Sequence, residues 1–251
     1  MEIGELSTEQ QDARRQQAIV IAIDGPSGSG KSSVSRMVAE RLGLAFLDTG
    51  AMYRAATWWC LERGVPLTDT DAVAALVREL PLVVGVDPAA PTVHVGGTDV
   101  GEAIRTTAIS SAVSAVATNL EVRAELGRLQ REAIAAERVP QSFSEGRGIV
   151  AEGRDITTVI APDADVRILL TASEEARLAR RAKEVHGAAD AASVQATRDQ
   201  VLRRDRDDST VSAFHVAADG VVTVDSSDLD LEETVQAVLD VVARVSGRVA
   251  L

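Results

Sequence analysis

Residues 25–32 have the types and the spacing of a loop that binds phosphate groups. Their sequence, GPSGSGKS, matches the pattern G-x-x-x-x-G-K-[ST] and lies between an apolar run at 18–23 and a helical pattern at 32–42. Glycines let successive backbone N–H groups point at phosphate oxygens, and the amino terminus of the following helix adds partial positive charge. In such a loop a lysine bridges the β- and γ-phosphates and a hydroxyl ligates Mg²⁺. The sequence therefore predicts that these residues bind a nucleoside triphosphate, with Ser32 on the metal: Gly25, Pro26, Ser27, Gly28, Ser29, Gly30, Lys31, Ser32 and Ser33.

Two other kinds of nucleotide-binding protein do not fit this loop. A dinucleotide-binding fingerprint needs a third glycine where this chain has Ser33. A guanine nucleotide switch needs an N-K-x-D element, and neither lysine of the chain, Lys31 or Lys183, provides one. The loop alone does not identify a reaction, so the acceptor of the phosphoryl group has to be sought elsewhere in the chain.

Arginines that follow predicted strands are candidates for a second anion site. Arg54 belongs to the segment DTGAMYR, about one turn into the helix after the second strand, and Thr49 of that segment offers a hydroxyl. Arg154 and Asp155 stand at the end of another apolar strand, the edge at which α/β proteins bind ligands. A guanidinium can clamp a phosphate through two hydrogen bonds, and a carboxylate suits a polar base or sugar. The alternatives are a surface salt bridge for Arg154 and a helix cap for Asp155.

The hydrophobic pattern places these segments in an α/β protein. Short buried strands alternate with helices at both ends of the chain, which is the order that builds a doubly wound parallel sheet. The strands are predicted at 18–23, 44–47, 148–151, 166–170 and 221–224, and the helices at 32–42, 51–60, 173–183 and 231–245. A subdomain inserted at about 60–105 is indicated by three short strands of antiparallel type, at 82–86, 92–95 and 98–100. A helical stretch at 107–137, interrupted near Asn119, follows it, and the small residues at 187–192 predict a loop.

Composition and charge exclude several other classes. The 251 residues are 45% apolar and 25% charged, which is typical of globular proteins and unlike collagenous or disordered chains. A formal net charge of −12 opposes non-specific binding to nucleic acid or to an anionic membrane, but it is compatible with a local basic pocket. Cys60 is the only cysteine, no apolar run reaches the length of a membrane helix, and residues 1–17 lack the apolar stretch of a secretory signal. We therefore expect a cytoplasmic protein with a flexible polar tail at 1–17.

Over longer segments the chain resembles the bacterial cytidylate kinases, which are nucleoside-monophosphate kinases. The resemblance runs from about residue 21 to residue 227, and its most specific part is the pair DTGAMYR and EGRD…PDA. The matching segments are IAIDGPSGSGKSSVSR, FLDTGAMYR, IRTTAISSAVSAVATNLEVR, IVAEGRDITTVIAPDADVRILLTAS, RRDRDDS and AADGVVTVDSS. The resemblance implies a P-loop NTPase fold, with a central parallel sheet flanked by helices, an inserted monophosphate-binding subdomain and a short lid.

The resemblance also implies domain limits, a reaction and partners. The core would consist of residues 18–59 and 140–251, with the lid at about 176–206, and the insertion of residues 60–139. The reaction would be transfer of the γ-phosphoryl group of ATP to CMP or dCMP with Mg²⁺, within pyrimidine nucleotide metabolism. The expected partners are these small nucleotides, with no nucleic acid and no membrane. A monomer is expected because no long apolar seam is left over.

The family's site residues carry over motif by motif. The monophosphate site would include Thr49, Arg54, Ser114, Arg123, Arg154, Asp155 and Arg204. The lid would be a helix with three catalytic arginines that assist Lys31, followed by a loop to about Arg204; these arginines are Arg177, Arg180 and Arg181. Residues three and four apart share a helix face, so all three can point at one anion. The alternatives are close helix packing for Ser114, a solvated charge for Arg123 and an exposed basic face for the lid helix.

One segment departs from the family's pattern. After RDRDDS the family commonly continues with a further arginine and then Ser-Pro-Leu, whereas this chain has TVSAFH and is about two residues shorter. An arginine that contacts the monophosphate is therefore missing at this point. Arg204 or Arg206 can substitute for it, and the sequence does not decide which. Nucleotide selectivity is the property that this departure affects.

Three other functions compete with this interpretation. A small-molecule kinase of the shikimate or gluconate type shares the phosphate loop, but the enlarged insertion and DTGAMYR argue against it. A preference for adenylate or uridylate would depend on few side chains. A nucleotide switch without enzymatic activity would bind ATP and change shape without turnover.

Overall fold

A parallel β-sheet forms the centre of the molecule in the computed structural model, which describes residues 18–187 and 190–248. The strands, in chain order, are β1 (Ile19–Asp24), β2 (Ala45–Asp48), β3 (Leu82–Val84), β4 (Val93–Val95), β5 (Thr98–Asp99), β6 (Gly148–Gly153), β7 (Val166–Thr171) and β8 (Val222–Asp225). Five of them pair in parallel in the order β2-β6-β1-β7-β8. Asp24 aligns with Gly153 and Asp48 with Glu152, so the carboxyl ends of β1, β2 and β6 meet at one edge. The predicted α/β fold with a central parallel sheet is confirmed.

Helices cover both faces of this sheet. They are α1 (Lys31–Leu42), α2 (Thr49–Glu62), α3 (Thr70–Arg78), α4 (Thr107–Ala117), α5 (Leu120–Ala136), α6 (Glu174–His186), α7 (Ala191–Asp208) and α8 (Leu231–Ser246). Ile21 and Ile23 of β1 belong to a core formed with α1 and α8, whereas Val20 and Ala22 belong to a second core that includes Met52 of α2. Successive side chains of a strand point to opposite faces, so the continuous apolar run of β1 supplies both cores.

The residues between α2 and β6 build a third hydrophobic cluster. Here β3, β4 and β5 form an antiparallel sheet, whose Val93 and Val95 join a cluster with buried residues of α2, α3, α4 and α5. The break between α4 and α5 lies at Asn119, whose side chain accepts hydrogen bonds from the N–H groups of Glu121 and Val122. An asparagine in this position caps the new helix, and the predicted interruption is confirmed.

The segment after α6 is helical where the sequence interpretation placed a loop. The α7 helix begins after Asp190, whose carboxylate accepts a hydrogen bond from the N–H of Ser193 at 2.9 Å, and it packs against α6. The expected loop to about Arg204 is therefore wrong, because this run of alanine, glutamine, leucine and arginine follows a good cap and favours a helix. The predicted tail at 1–17, and residues 188–189 of the loop predicted at 187–192, lie outside the described residues.

A buried carboxylate ties β1 to the segment that follows β6. Asp24 Oδ1 accepts a hydrogen bond from Ile156 N at 2.9 Å, and Oδ2 accepts from Thr157 N at 2.8 Å and Thr157 Oγ1 at 2.6 Å. The bonded residues open a single π-helical turn, Ile156–Ile160, directly after the Arg154–Asp155 pair. Asp24 therefore fixes the backbone that presents those two side chains. Burial raises the pKa of Asp24 to about 6, although the hydrogen bonds favour its ionised form.

We expect the stabilising contribution of Asp24 to fall as the pH rises. Because its pKa is higher in the folded protein than in the unfolded chain, the contribution is fully present below about pH 4 and is lost as the pH passes about 6. The unfolding free energy of the unmodified protein relative to Asp24→Asn should then decrease by about 1.4 kcal/mol between pH 5 and pH 7.5. Urea unfolding of both proteins across this range measures the change. A difference that does not vary with pH would contradict the prediction.

Candidate active site

A cavity of about 610 Å³ opens at the carboxyl edge of the parallel sheet. Residues of the phosphate loop, α2, α4, α6 and α7 line it. Its wall carries nine cationic side chains and four carboxylates, although the chain as a whole has a net charge of −12. The cations are Lys31, Arg54, Arg105, Arg123, Arg154, Arg180, Arg181, Lys183 and Arg204, and the acids are Asp48, Glu152, Asp155 and Asp208. Such a cavity favours anionic ligands.

The phosphate loop joins β1 to α1, as its motif requires. Gly25 has no room for a side chain, because a Cβ there would overlap the carbonyl oxygen of Leu170. Gly28 has a φ of +78°, and a Cβ on it would lie 2.6 Å from the carbonyl oxygen of Arg177. The residues of the loop that line the cavity are Ser27, Gly28, Gly30, Lys31, Ser32 and Ser33, whereas Gly25, Pro26 and Ser29 are not among the lining residues.

Glu152 lies against the two loop residues that were expected to act on phosphate and metal. Its Oε1 accepts a hydrogen bond from Ser32 Oγ at 2.6 Å, and its Oε2 lies 3.9 Å from Lys31 Nζ. Burial, assisted by the nearby Asp48 carboxylate, raises the pKa of Glu152 to about 7, and burial also lowers the pKa of Lys31. Glu152 is not among the site residues predicted from the sequence. The signal was available, since Glu152 precedes Arg154 at the end of an apolar strand.

The oxygens of Ser32 and Glu152 suit a magnesium ion. Mg²⁺ prefers oxygen ligands and is usually held by one or two carboxylates together with substrate phosphates and water. Over residues 18–187 and 190–248, no cluster of three or more histidine, cysteine, aspartate or glutamate side chains can hold a metal. A metal ion beside Ser32 would therefore depend on phosphate oxygens and water for its remaining ligands.

Arg54 is held at the cavity by the carboxylate that caps its own helix. Asp48 Oδ1 accepts a hydrogen bond from Ala51 N at 2.8 Å, and Oδ2 accepts from Arg54 Nη2 at 2.9 Å. Burial opposes ionisation of Asp48, but Arg54 and the Ala51 N–H hold its pKa below the ordinary value. The buried Nε of Arg54 has no hydrogen-bond partner among the described residues. Thr49 Oγ1 donates to the Glu152 carbonyl oxygen at 2.8 Å, which joins the ends of β2 and β6.

Arg123 and Asp155 form an ion pair on another wall of the cavity. Arg123 Nη2 bonds to Asp155 Oδ2 and also donates to Ser212 Oγ at 3.1 Å, while Nη1 donates to the Ala117 carbonyl oxygen at 3.1 Å. Burial raises the pKa of Asp155, and Arg123 partly offsets this increase. The expected Ser114 is half-buried and is not a lining residue, whereas Ser110, one turn earlier on α4, lines the cavity.

Arg154 is fixed by two carboxylates of α7. Its Nη1 donates to Asp205 Oδ1 at 2.8 Å, and its Nε lies 2.7 Å from Asp208 Oδ2. Asp205 also accepts hydrogen bonds from Ser27 N, at 3.0 Å, and from Arg177 Nη1. One carboxylate of α7 therefore joins the phosphate loop, Arg154 and α6.

Comparison with known proteins agrees with this geometry. The family model described as cytidylate kinase matches residues 21–244. The chain belongs to the cytidylate kinase family. A cytidylate kinase of Streptomyces avermitilis is 48% identical over 231 residues, which cover 92% of this chain and 95% of the relative. Cytidylate kinases of Nocardia farcinica and Cutibacterium acnes are each 48% identical, over 90% and 89% of this chain and 94% and 96% of the relatives. None of the helices within the described residues combines the length and the apolarity needed to cross a membrane.

The segment that departs from the family's usual pattern lies directly after α7. Arg204 lines the cavity with Arg54, Arg154 and Arg181, whereas Arg206 is exposed and is not a lining residue. Burial and these neighbouring arginines lower the pKa of Arg204 to about 10, and its buried Nε has no hydrogen-bond partner among the described residues. Of the two arginines considered for the missing one, the structure brings Arg204 to the cavity.

The three arginines predicted to belong to a lid take different positions. Arg181 lines the cavity. Arg180 also lines it, but its guanidinium donates to the carbonyl oxygens of Ser226 and Leu229. Arg177 is buried, bonds to Asp205 and to the Ser27 carbonyl oxygen, and is not a lining residue. The expectation that all three point at one anion is therefore not met by Arg177, whose helix position turns it toward the loop backbone.

Proposed function

We propose that this protein transfers the γ-phosphoryl group of ATP to CMP or dCMP, giving ADP and CDP or dCDP. The observation that carries the proposal is the group of four arginines beside the phosphate loop, namely Arg54, Arg154, Arg181 and Arg204. Like charges that share a cavity repel one another, and the pKa of Arg204 is lowered first by burial and then by the neighbouring Arg154 and Arg54. Within the part of the chain that the structure describes, the buried Nε groups of Arg54 and Arg204 make no hydrogen bond, and Arg204 Nε has only the Asp208 carboxylate at 3.7 Å, so both can still bond to an anion. A monophosphate next to the ATP loop supplies that anion.

The pair Arg123 and Asp155 supports a pyrimidine base as the group attached to that phosphate. A guanidinium and a carboxylate side by side offer both a donor and an acceptor to a planar polar ring. Ser110 lines the cavity on the same side as Ala117, whose carbonyl oxygen accepts a hydrogen bond from Arg123. The names of the relatives, which are cytidylate kinases, favour cytosine as the base.

The chain's own residues account for catalysis, because they align the donor with the acceptor and neutralise charge on the transferred phosphoryl group. The acceptor phosphate is already an anion, so the reaction needs no strong general base. Lys31 and the cavity arginines neutralise charge that spreads over the transferred group, and they hold donor and acceptor in line. Ser32 and Glu152 would hold Mg²⁺, which neutralises phosphate charge when it is bound.

The same proposal assigns roles to the larger parts of the chain. Residues 60–139 would form the acceptor-binding insertion, and residues at about 176–206 the lid, on a core of 18–59 and 140–251. Closure of the lid would exclude water and so suppress ATP hydrolysis. We further propose a monomeric cytoplasmic enzyme that acts on small nucleotides, a proposal supported by the acidic net charge and the lone cysteine.

The test is ADP release from MgATP with five acceptors offered separately: CMP, dCMP, UMP, AMP and shikimate. Turnover confined to CMP and dCMP is the expected result. Turnover with all nucleotides would preserve phosphoryl transfer but overturn the assignment of the base. Turnover with shikimate alone would favour a small-molecule kinase. Tight ATP binding without any turnover would favour a nucleotide switch.

A further inference from the structure

The shortened segment after α7 places an aromatic ring under a cavity arginine. The guanidinium carbon of Arg154 lies 4.5 Å from the centroid of the Phe214 ring, within the range of a cation–π contact. Phe214 is fully buried, and the chain has only three phenylalanines. It lies in the segment TVSAFH, which departs from the family's usual pattern.

The surroundings of Phe214 indicate that it serves the site more than the core. Phe214 belongs to none of the three hydrophobic core clusters found among the described residues. Its ring makes a cation–π contact with Arg154 and an aromatic contact with the adjacent His215, whose ring centroid lies 4.4 Å away. Two residues earlier, Ser212 accepts a hydrogen bond from Arg123. This short segment thus touches two of the arginines that line the cavity.

The ring completes a three-sided restraint on Arg154. Asp205 and Asp208 hold Nη1 and Nε at two edges of the guanidinium, and Phe214 covers one of its faces. Within the described residues, no hydrogen bond occupies Nη2. The guanidinium is planar, so two edges and a face fix its orientation and leave Nη2 available to a ligand. A preorganised arginine loses less rotamer freedom when it binds an anion.

We propose that Phe214 is a positioning residue, which holds Arg154 in the plane that presents its Nη2 to the acceptor phosphate and so offsets the absence of the family's arginine. This inference rests on the proposed function, because it takes the acceptor to be a nucleoside monophosphate. Phe214 acts through Arg154 and does not itself contact the reacting atoms. Its loss should therefore weaken binding of the acceptor and leave binding of ATP unchanged.

A double-mutant cycle tests this role. Phe214→Leu keeps an apolar side chain but removes the aromatic face, and we expect it to raise the KM for CMP about tenfold while the KM for ATP stays within about twofold. In an Arg154→Ala background the same change should raise the KM for CMP by less than about twofold, because the residue through which Phe214 acts is gone. Phe143→Leu is the matched control, since it makes the same substitution at a half-exposed position outside the cavity.

Several results would overturn the inference. Equal effects of Phe214→Leu in both backgrounds would show that the ring does not act through Arg154. If Phe214→Leu does not fold, Phe214→Met takes its place, and failure of both to fold would give Phe214 a purely structural role. The unmodified protein separates the two proposals: absence of turnover with CMP and dCMP counts against the proposed function alone. In that case the double-mutant cycle is measured by calorimetry, with the affinity for CMP as the readout. Additive effects of the Phe214 and Arg154 substitutions on that affinity would again overturn the positioning role.

Discussion

Replacement of Lys31 by methionine is expected to lower kcat for ADP formation by about 100-fold to 1,000-fold. Lys31 is the lysine of the phosphate loop and lines the cavity. Its ammonium can neutralise the negative charge on the phosphoryl group as that group is transferred. Methionine preserves most of the length and the apolar stem of the side chain but removes the charge. Steady-state assays with saturating ATP and CMP measure the loss.

The fold should tolerate this substitution. Lys31 Nζ makes one long hydrogen bond, 3.4 Å to the Pro26 carbonyl oxygen, and its ion-pair distance to Glu152 is 3.9 Å. Glu152, with a pKa of about 7, can take up a proton when the ammonium is removed, so no buried charge needs to remain unpaired. Arg128→Met is the control, because it removes an exposed cation of α5 that pairs with Glu125 and Glu132 outside the cavity. A Lys31→Met enzyme within threefold of the control would refute the role of Lys31.

The sequence predicted those features that depend on local pattern. The phosphate loop, the buried β1 strand and the break at Asn119 each follow from residues that are adjacent in the chain, and each is present in the structure. Arg54 and Arg154 could be selected because each follows a strand, and the register of a parallel sheet brings such ends together. Local pattern is therefore sufficient where the sheet itself positions the residue.

The positions of the three arginines assigned to the proposed lid could not be predicted in this way. Arg177, Arg180 and Arg181 do share one broad helix face, as their spacing requires. That face is wide enough for the three side chains to contact different parts of the structure. Arg177 bonds to Asp205, Arg180 bonds to backbone carbonyl oxygens after β8, and Arg181 lines the cavity. Spacing along a helix restricts the direction of a side chain but does not identify its partner, which comes from a distant part of the chain. Asp205 was missed for the same reason, since its partners Ser27, Arg154 and Arg177 lie far from it in the chain.

Asp205→Asn is expected to weaken both substrate sites and the fold together. The Asp205 carboxylate is buried and binds the loop N–H of Ser27, Arg154 and Arg177. Burial opposes its ionisation, but these partners lower its pKa, so its stabilising effect is present at neutral pH and is lost as the pH falls through the lowered value. An amide has one acceptor oxygen and turns an N–H toward a donor, which leaves a buried guanidinium without its counter-charge.

The expected loss of unfolding free energy for Asp205→Asn is about 3 kcal/mol, the lower end of the cost of breaking a buried ion pair. Because the carboxylate joins the ATP loop to Arg154, the KM values for ATP and CMP should both rise, and kcat/KM for CMP should fall by about 100-fold through misplacement of the reactants. This pattern differs from that of Phe214→Leu, which should affect CMP alone. Asp199→Asn makes the same substitution at an exposed position of α7 and serves as the control. Urea unfolding and steady-state kinetics on both variants decide the matter: if the two KM values of Asp205→Asn stay within twofold of those of Asp199→Asn, Asp205 does not link the two sites.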